Sequence, residues 1–370
     1  MIRKFITTIL MVWAVILAIE IIDRLRADSP EIKISRQTSI THSIQRVSPA
    51  VVGINVTQVK RKRGNLRLDP FWGWYFPQNQ TYKVESLGSG VIISEDGYVV
   101  SNAHVVEDAY EIIITLPGGR RMNAELVGVD KLSDIALMKI DGNNLPYAVL
   151  GDSDDLIVGE WAIALGNPLG LFDIGYKPTA TVGIVSGLDM DFGLKESGHV
   201  YQDMIQTDAS INPGNSGGPL VNSLGEIIGI NTFIMTGSGY STGSIGIGFS
   251  IPINRVKDIT SELKKNGKVE RDFSTGVHVQ SVDQYLQQYL RLPSTEGVIV
   301  TDIEKESAGE KSGLVIGDII LEAERKKIST HTDILRIIDE GFFKVGDYIR
   351  LTIWRDGKQL EISLELAERK

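Results

Sequence analysis

A serine with glycines on both sides is the first candidate for chemistry in this chain. Ser216 lies in the stretch Asn-Pro-Gly-Asn-Ser-Gly-Gly-Pro, residues 212–219. Glycine permits positive φ angles, which let two backbone N–H groups point toward one place, as an oxyanion hole requires. Glycines around a serine also form ordinary turns, so Ser216 needs a matching base and acid before it can be considered a nucleophile.

The order of candidate partners along the chain separates two kinds of hydrolase. Gly-x-Ser-x-Gly also fits the nucleophile elbow of α/β-hydrolases, in which an acid and then a histidine follow the serine. Only His278 and His331 follow Ser216, and neither lies in a motif. Upstream, His104 follows an apolar run and Asp134 precedes another. The order His104, Asp134, Ser216 is that of chymotrypsin-type proteases, in which histidine accepts the serine proton and aspartate orients the imidazole.

Short Val- and Ile-rich segments separated by turn residues predict a mainly β, chymotrypsin-like double β-barrel. The predicted strands lie at 51–56, 87–94, 98–101, 111–116, 124–130, 161–166, 180–187, 204–207, 218–221 and 227–232. The second barrel is predicted from about Trp161 to Ser250. We therefore expect loops of the first barrel to bring His104 and Asp134 to a cleft shared with Ser216.

Three motifs in the predicted order carry a family resemblance. The segments SNAHVV, SDIALMKI and QTDASINPGNSGGPLVNSLGEIIGIN resemble the HtrA (Deg) serine proteases of the trypsin-like clan, and the similarity runs from about Ser43 to Ile259. The resemblance implies that His104 is the general base, Asp134 its orienting acid and Ser216 the nucleophile. It also implies an oxyanion hole formed by the N–H groups of Gly214 and Ser216.

The same resemblance predicts where a substrate binds. Asn215 lies between the two oxyanion-hole N–H groups, while Asn231, Thr232 and Phe233 are expected to border the substrate. Ser210 lies six residues before the nucleophile, where trypsin-like enzymes specific for Arg or Lys have aspartate. Without that carboxylate, the charged side chain of an Arg or Lys at P1 would be buried without a partner, which makes its binding free energy unfavourable. We expect a small or aliphatic P1 residue, valine by resemblance, in extended or unfolded chains that can add a strand to the barrel edge.

Composition limits the remaining possibilities. A chain of 370 residues fits two or three domains, and 42% hydrophobic with 23% charged residues is ordinary for globular proteins. The net charge of −9 argues against a nucleic-acid partner. The chain has no cysteine and no His-Glu-x-x-His motif, so we expect catalysis without a metal or other cofactor. His42 and His199 lie in no motif, and we assign neither a role.

The N-terminal residues predict a membrane anchor. Arg3 and Lys4 precede residues 5–22, an almost wholly apolar stretch at the lower end of the length that spans a bilayer. No small-x-small cleavage site follows, so we predict an uncleaved signal anchor over residues 1–28 and a polar tether over 29–41. A short basic segment before the anchor is expected to stay in the cytoplasm, which places the large C-terminal part of the chain in the periplasm. A cleaved export signal is the alternative.

A long excursion between the first two strands contains a basic tetrad, Lys60–Arg63, and five aromatic residues within 69–77. The family resemblance implies a loop that shapes or blocks the active site and contacts other subunits. Aromatic residues on a loop favour a partner surface over free solvent. Packing against its own barrel is the alternative, and the basic residues are expected to be solvated.

The C-terminal third differs from the barrels. A helix is predicted over Val256–Lys264 from its apolar spacing. The part from about Thr275 to Leu366 resembles a single PDZ domain, which binds a C-terminal peptide at a sheet edge. The resemblance implies that Thr275, Gly276 and Val277 bind the peptide carboxylate. We therefore predict a protease domain over 42–258, followed by a linker helix and α+β PDZ domain over 259–370.

This organisation resembles the DegS-like branch of the family. The resemblance implies a trimeric stress protease of the cytoplasmic membrane, activated when C-terminal peptides of unfolded envelope proteins bind its PDZ domain. One alternative is a general protease for misfolded envelope proteins without such gating. Another is a non-catalytic peptide-binding scaffold or holdase, and a fluorophosphonate probe would distinguish it from an enzyme.

Overall fold

The computed structural model describes residues 11, 13–20, 34, 36–62, 66–68, 75–77, 80–167, 175, 177–234, 244–290, 292 and 294–369. The predicted anchor over 1–28 lies largely outside these residues, although 13–20 are helical. None of the helices within the described ranges has the length and apolarity needed to cross a membrane. The aromatic stretch predicted to contact a partner also lies mostly outside them.

The first barrel is a closed sheet with the strand order β1-β4-β5-β8-β7-β6. Before it come helix α1 (Ser39–Val47) and a 3₁₀ turn (Ser48–Ala50). Its elements are β1 (Val51–Lys62), the hairpin β2 (Leu66–Leu68) and β3 (Tyr75–Pro77), β4 (Gln80–Ile92), β5 (Tyr98–Ser101), α2 (Ala103–Val106), β6 (Ala109–Thr115), β7 (Arg121–Asp130) and β8 (Ile135–Ile140). β1 and β4 pair from Val51 with Val91 out to Lys62 with Gln80, so the excursion between them begins as a long hairpin.

The second barrel follows the order β15-β10-β11-β14-β17-β16 and is extended by β9. β15 also pairs with β16, so this sheet closes on itself. Its strands, with the small hairpin β12–β13, are β9 (Val149–Leu150), β10 (Trp161–Gly166), β11 (Thr179–Met190), β12 (Gly193–Leu194), β13 (Val200–Tyr201), β14 (Met204–Thr207), β15 (Pro219–Val221), β16 (Glu226–Ile234) and β17 (Gly248–Pro252). The mainly β double-barrel prediction is confirmed.

Helix α3 (Ile253–Asn266) belongs to the protease domain rather than to the PDZ domain. Its buried residues Val256, Ile259 and Leu263 lie on one face and join the core cluster of the barrels. The helix ends at Gly267, which has a left-handed φ of 73°. The predicted boundary between residues 258 and 259 falls within this helix. Apolar spacing identified the helix but could not show which domain it packs against.

The C-terminal domain has its own core, built from a sheet of order β19-β20-β21-β23-β24 and its helices. Its elements are β18 (Phe273–Ser274), β19 (Val277–Ser281), α4 (Gln284–Leu290), β20 (Val298–Ile303), α5 (Ala308–Lys311), β21 (Ile319–Ala323), β22 (Lys326–Lys327), α6 (His331–Glu340), β23 (Tyr348–Arg355), β24 (Lys358–Glu365) and β25 (Ala367–Glu368). Residues of β19 and α6 line a groove of about 310 Å³, whose wall is largely aliphatic.

Candidate active site

Neighbouring strands bring His104 and Asp134 together. β5 pairs with β8 so that Ser101 lies opposite Ala136, which puts the end of one strand beside the start of the other. Asp134 has a positive φ of 57°, a conformation that aspartate tolerates better than most residues. Its carbonyl accepts hydrogen bonds from the Ala103 N–H, at 3.1 Å, and from the Asn102 side chain, at 3.1 Å. The turn before β8 is thereby fixed against the residues that carry His104.

The Asp134 carboxylate is fully buried and accepts several hydrogen bonds. His104 Nδ1 lies 2.8 Å from Oδ2, and the His104 backbone N–H donates to Oδ1 at 3.0 Å. Thr232 Oγ1 and the Tyr201 hydroxyl donate to Oδ2 at 2.9 and 3.3 Å. Burial raises the pKa of Asp134, but the hydrogen bonds and charge of His104 outweigh it and leave the pKa below its ordinary value. Because an ionised carboxylate only accepts, Nδ1 carries the imidazole proton and Nε2 is left as the base.

Thr232 joins this pair to Ser216. Its side chain bonds Asp134, while its carbonyl accepts the Ser216 hydroxyl proton at 3.0 Å. The structure thus gathers the three predicted residues into one cluster between the barrels. Within the part of the chain described, Ser216 makes no hydrogen bond to His104, so Oγ must rotate from the Thr232 carbonyl toward Nε2 before its proton can be transferred.

The backbone around Ser216 presents two unused donors. Pro213 and Gly214 form the centre of a turn closed by the Asn215 N–H and the Asn212 carbonyl, at 2.9 Å, with φ of 98° at Gly214. The Gly217 N–H donates to the Asn231 carbonyl at 2.8 Å. By contrast, the N–H groups of Gly214 and Ser216 have no acceptor among the described residues. Alternate N–H groups of this loop are therefore available to a bound oxyanion.

Three of the four side chains predicted to border the substrate, those of Asn215, Asn231 and Thr232, are buried. Asn215 is buried, and Asn231 is fully buried, donating to the Pro219 carbonyl at 3.1 Å. Thr232 bonds Asp134, and the Phe233 ring packs against aromatic neighbours in the second barrel. The side chains of Asn231, Thr232 and Phe233 are thus engaged within the protein, and the role of all four residues at a bound substrate stays a prediction. The pairing of β16 with β17 shifts between Asn231 and Phe233, and this bulge turns Thr232 toward the triad.

Comparisons with known proteins agree with both domains. Residues 88–230 match the trypsin-like peptidase domain model, and residues 274–366 match the PDZ domain model. The chain is 36% identical over 349 residues to a "Probable periplasmic serine endoprotease DegP-like" of Halomonas elongata, covering 89% of this chain and 70% of that protein. A protein of the same description from Pseudomonas putida is 39% identical over 346 residues, covering 88% and 69%.

Solved structures of similar chains cover both domains together. The chain is similar to "HtrA-type protease AlgW with decapeptide", with a TM-score of 0.62 and 34% identity over 89% of this chain and 98% of that one. This chain belongs to the HtrA family of serine proteases. The serine endoprotease from Yersinia pestis is similar at a TM-score of 0.55 and 29% identity, covering 90% and 99% of the two chains. The predictions of family and of serine protease activity are confirmed.

Sequence reasoning missed two residues beside the HtrA site. Tyr201 donates to Asp134, and burial together with the charge of Asp134 raises the tyrosine pKa, so the hydroxyl keeps its proton. His199 is buried, with its ring 6.5 Å from that of His104 and its Nδ1 2.6 Å from the Lys131 carbonyl. Both lie in the β12–β13 hairpin, which contacts the first barrel where the Val200 N–H donates to the Leu132 carbonyl at 2.8 Å. Their positions relative to the motifs do not predict these contacts with Asp134 and His104, because the contacts form only when the two barrels pack together.

In the PDZ domain of this HtrA chain, the predicted carboxylate loop forms part of the groove lining. Thr275, Gly276 and Val277 all line it. Gly276 has a φ of 64°, and a Cβ there would lie 2.3 Å from the Ser307 Cβ, so this position requires glycine. The Gly276 and Val277 N–H groups bond local hydroxyls at 3.3 and 3.4 Å, distances long enough for a carboxylate to compete for them.

Arg271 connects the PDZ groove to the protease domain. Its guanidinium bonds both carboxylate oxygens of Asp130, at 3.2 and 2.9 Å, and the carbonyls of Phe342 and Phe343, at 2.6 and 2.9 Å. Phe342 and Phe343 follow α6, the helix that lines the groove. Asp130 ends β7 and accepts the Ser133 hydroxyl proton at 2.6 Å, one residue before Asp134. Hydrogen bonds of Arg271 therefore join the residues after α6 to Asp130, which lies four positions before Asp134.

Proposed function

We propose that this HtrA protease is a membrane-anchored endopeptidase of the cell envelope that cleaves unfolded or membrane-associated proteins under control of C-terminal peptides. The observation that carries the proposal is Arg271, which joins the turn after the groove helix to the strand end before Asp134. It supplies a short mechanical link from peptide site to catalytic site. The comparisons lend support, since AlgW is described with a decapeptide in one structure and with a tripeptide in another.

The proposed reaction follows from the hydrogen bonds of the cluster. Ser216 Oγ leaves the Thr232 carbonyl, gives its proton to His104 Nε2 and attacks the scissile carbonyl carbon. Asp134 holds the Nδ1 proton in place and stabilises the imidazolium that forms. The N–H groups of Gly214 and Ser216 bind the oxyanion of the tetrahedral intermediate. His104 then protonates the leaving amine, and a water molecule hydrolyses the acyl-enzyme by the same steps.

The specificity proposal rests on Ser210. Thr181 Oγ1 donates to the Ser210 carbonyl at 2.8 Å, which fixes the backbone at this position. Serine offers a basic P1 side chain no countercharge, so a small aliphatic residue such as valine is preferred. A substrate must also be extended to align with the barrel edge, which selects unfolded segments over folded ones.

The location and assembly of the protein belong to the same proposal. The relatives from Halomonas elongata and Pseudomonas putida are described as periplasmic. The apolar residues 5–22 would hold the protease at the cytoplasmic membrane with both domains in the periplasm. A homotrimer formed through the N-terminal part of the protease domain is the assembly we expect from the family.

Peptide-dependent hydrolysis of casein tests this proposal. The full-length protein is assayed alone and with a library of peptides ending in different C-terminal residues, each compared with the same peptide carrying a C-terminal amide. Regulation predicts that some free-carboxylate peptides raise the rate while their amides do not, because the amide removes the charge that the Thr275–Val277 loop would bind. Ser216→Ala gives the background rate.

A general quality-control protease is the second candidate, supported by relatives that are described as DegP-like endoproteases. It predicts casein hydrolysis that no peptide changes. A non-catalytic scaffold would instead fail to react with a fluorophosphonate, even with peptides present. These outcomes separate the three functions in one series of measurements.

A further inference from the structure

Ser89 connects the first barrel to the loop that carries the nucleophile. It lies on β4, opposite Gly53 of β1, and is fully buried. Its hydroxyl donates to the Gly214 carbonyl at 2.5 Å, and its backbone N–H donates to the Ser216 carbonyl at 2.9 Å. No motif used to identify the triad includes this residue.

The other polar atoms of Ser89 are also engaged. Its hydroxyl oxygen accepts the Asn167 N–H at 2.7 Å, and its carbonyl accepts the Ser101 hydroxyl proton at 2.7 Å. With one donated and one accepted bond, the hydroxyl has a single favourable rotamer. The backbone approaches closely here, since a Cβ on Gly217 would lie 2.3 Å from the Ser89 carbonyl oxygen. Ser89 is thus held rigidly against the oxyanion loop.

The two carbonyls that Ser89 holds belong to the two residues whose N–H groups are free. Gly214 is the weak point of the loop, because glycine rotates easily about φ and ψ and its positive φ is not enforced by a side chain. Fixing its carbonyl restrains the peptide group that follows it, while the turn closed by Asn215 restrains the one before. Together these bonds keep both donors aimed at one point.

We propose that Ser89 is a positioning residue for the oxyanion hole, acting from the opposite barrel through the Gly214 carbonyl. The inference rests on the proposed role of the Gly214 and Ser216 N–H groups. Ser89 touches neither substrate nor reacting atoms. Its hydroxyl keeps the peptide group between Gly214 and Asn215, which lies between the two donor N–H groups, from rotating. The donors are therefore in position before the substrate binds, and no reorganisation is needed during the reaction.

The test compares Ser89→Ala with Thr207→Val in the full-length protein. Thr207 is also fully buried, and its hydroxyl likewise donates one bond, to Ile184, and accepts one, from Ala209. Diisopropyl fluorophosphate forms a tetrahedral adduct with Ser216 and carries no peptide chain, so its rate reports the oxyanion hole and nucleophile alone. Active-site titration normalises each rate to the folded fraction, and kcat and KM are measured with a peptide substrate.

Removing one oxyanion donor outright costs about 10²–10³-fold in kcat, and the retained Ser89 N–H bond limits the loss here to about 10–100-fold. We expect Ser89→Ala to slow phosphorylation by diisopropyl fluorophosphate and kcat by that factor with KM within about twofold, while Thr207→Val keeps the wild-type rate per active site. Equal rates in the two variants would overturn the inference. A wild-type protein that does not react would overturn the proposed site, and the inference with it.

Ser89→Cys provides a second variant if alanine prevents folding. A thiol keeps the shape of the side chain but is a weaker donor and acceptor. We expect Ser89→Cys to be phosphorylated by diisopropyl fluorophosphate at a rate between those of wild type and alanine, or about tenfold more slowly than wild type where alanine cannot be measured. A cysteine variant with the full wild-type rate per active site would also contradict the role proposed for the hydroxyl.

Discussion

The contact between Arg271 and Asp130 gives the sharpest prediction about communication between the domains. The Arg271 and Asp130 side chains are 18% and 6% exposed, so solvent screens the pair weakly. Replacing Arg271 with alanine removes two bonds to Asp130 and two to the carbonyls after α6. Among the described residues, the buried Asp130 carboxylate then keeps the Ser133 hydroxyl as its only side-chain donor. Breaking such a pair from one side costs about 3–5 kcal/mol.

Asp130→Ala should cost less, because Arg271 keeps its bonds to the Phe342 and Phe343 carbonyls. The double variant loses the ion pair without leaving a buried charge beside Ser133. Its loss in free energy of unfolding is therefore smaller than the sum of the losses in the two single variants. We expect a coupling energy of about 2 kcal/mol, within the usual range for residues in one network. Differential scanning calorimetry of the four proteins of the cycle provides the measurement.

The same variants test the functional link. If the contact couples peptide binding in the groove to catalysis, Arg271→Ala changes the basal rate of casein hydrolysis and reduces the rate increase caused by an activating peptide. The rate of fluorophosphonate labelling stays measurable. Lys327→Ala serves as a matched control, since its ion pair with Glu296 is exposed and lies within the PDZ domain. Coupling below about 0.5 kcal/mol together with an unchanged peptide response would refute the reasoning.

Three further predictions concern individual residues. Asp134→Asn should lower kcat by about 10⁴-fold, because it favours the wrong imidazole tautomer. The pKa of Asp134 is lowered in the folded protein, so its stabilisation is present above the unfolded pKa of about 3.9 and is lost as pH falls through the folded pKa. In urea unfolding, the free energies of unfolding of wild type and Asp134→Asn should therefore differ most near pH 7 and converge in acid. Gly276→Ala should weaken binding of a C-terminal peptide by about tenfold or more, measured by fluorescence anisotropy, because of the positive φ and the nearby Ser307, and unchanged affinity would count against the assigned loop. Tyr201→Phe should reduce stability by about 1 kcal/mol in urea unfolding, since its hydroxyl bond to Asp134 is buried and 3.3 Å long, and should lower kcat far less than Asp134→Asn does.

Local motifs were enough to predict the cluster of His104, Asp134 and Ser216. Each lies at the end of an apolar strand or in a glycine-rich turn, and their order admits one known barrel arrangement. Strands such as Tyr98–Ser101 and Met204–Thr207 were predicted with the bounds that the structure gives. Their alternation and the turns between them are local properties, which a sequence displays directly.

The residues that support the cluster could not be predicted in this way. Thr232 reaches Asp134 because a bulge in β16 turns it, and Ser89 reaches Gly214 because the two barrels dock face to face. Both depend on the register between strands far apart in sequence. The packing of α3 on the barrels has the same origin, since an apolar helix face does not specify its partner. Sequence patterns therefore identified the reacting groups better than the residues that hold them.

Mapping the phosphonyl adduct most directly tests the central claim that His104, Asp134 and Ser216 act as one catalytic unit. The full-length protein is incubated with a fluorophosphonate, with and without C-terminal peptides, and the modified residue is identified by peptide mass spectrometry. The account predicts a single adduct on Ser216, formed at least 10³-fold more slowly in His104→Ala, in line with the loss of about 10³-fold or more expected on removing a triad member. An adduct on another serine, or labelling of Ser216 at the same rate without His104, would contradict it.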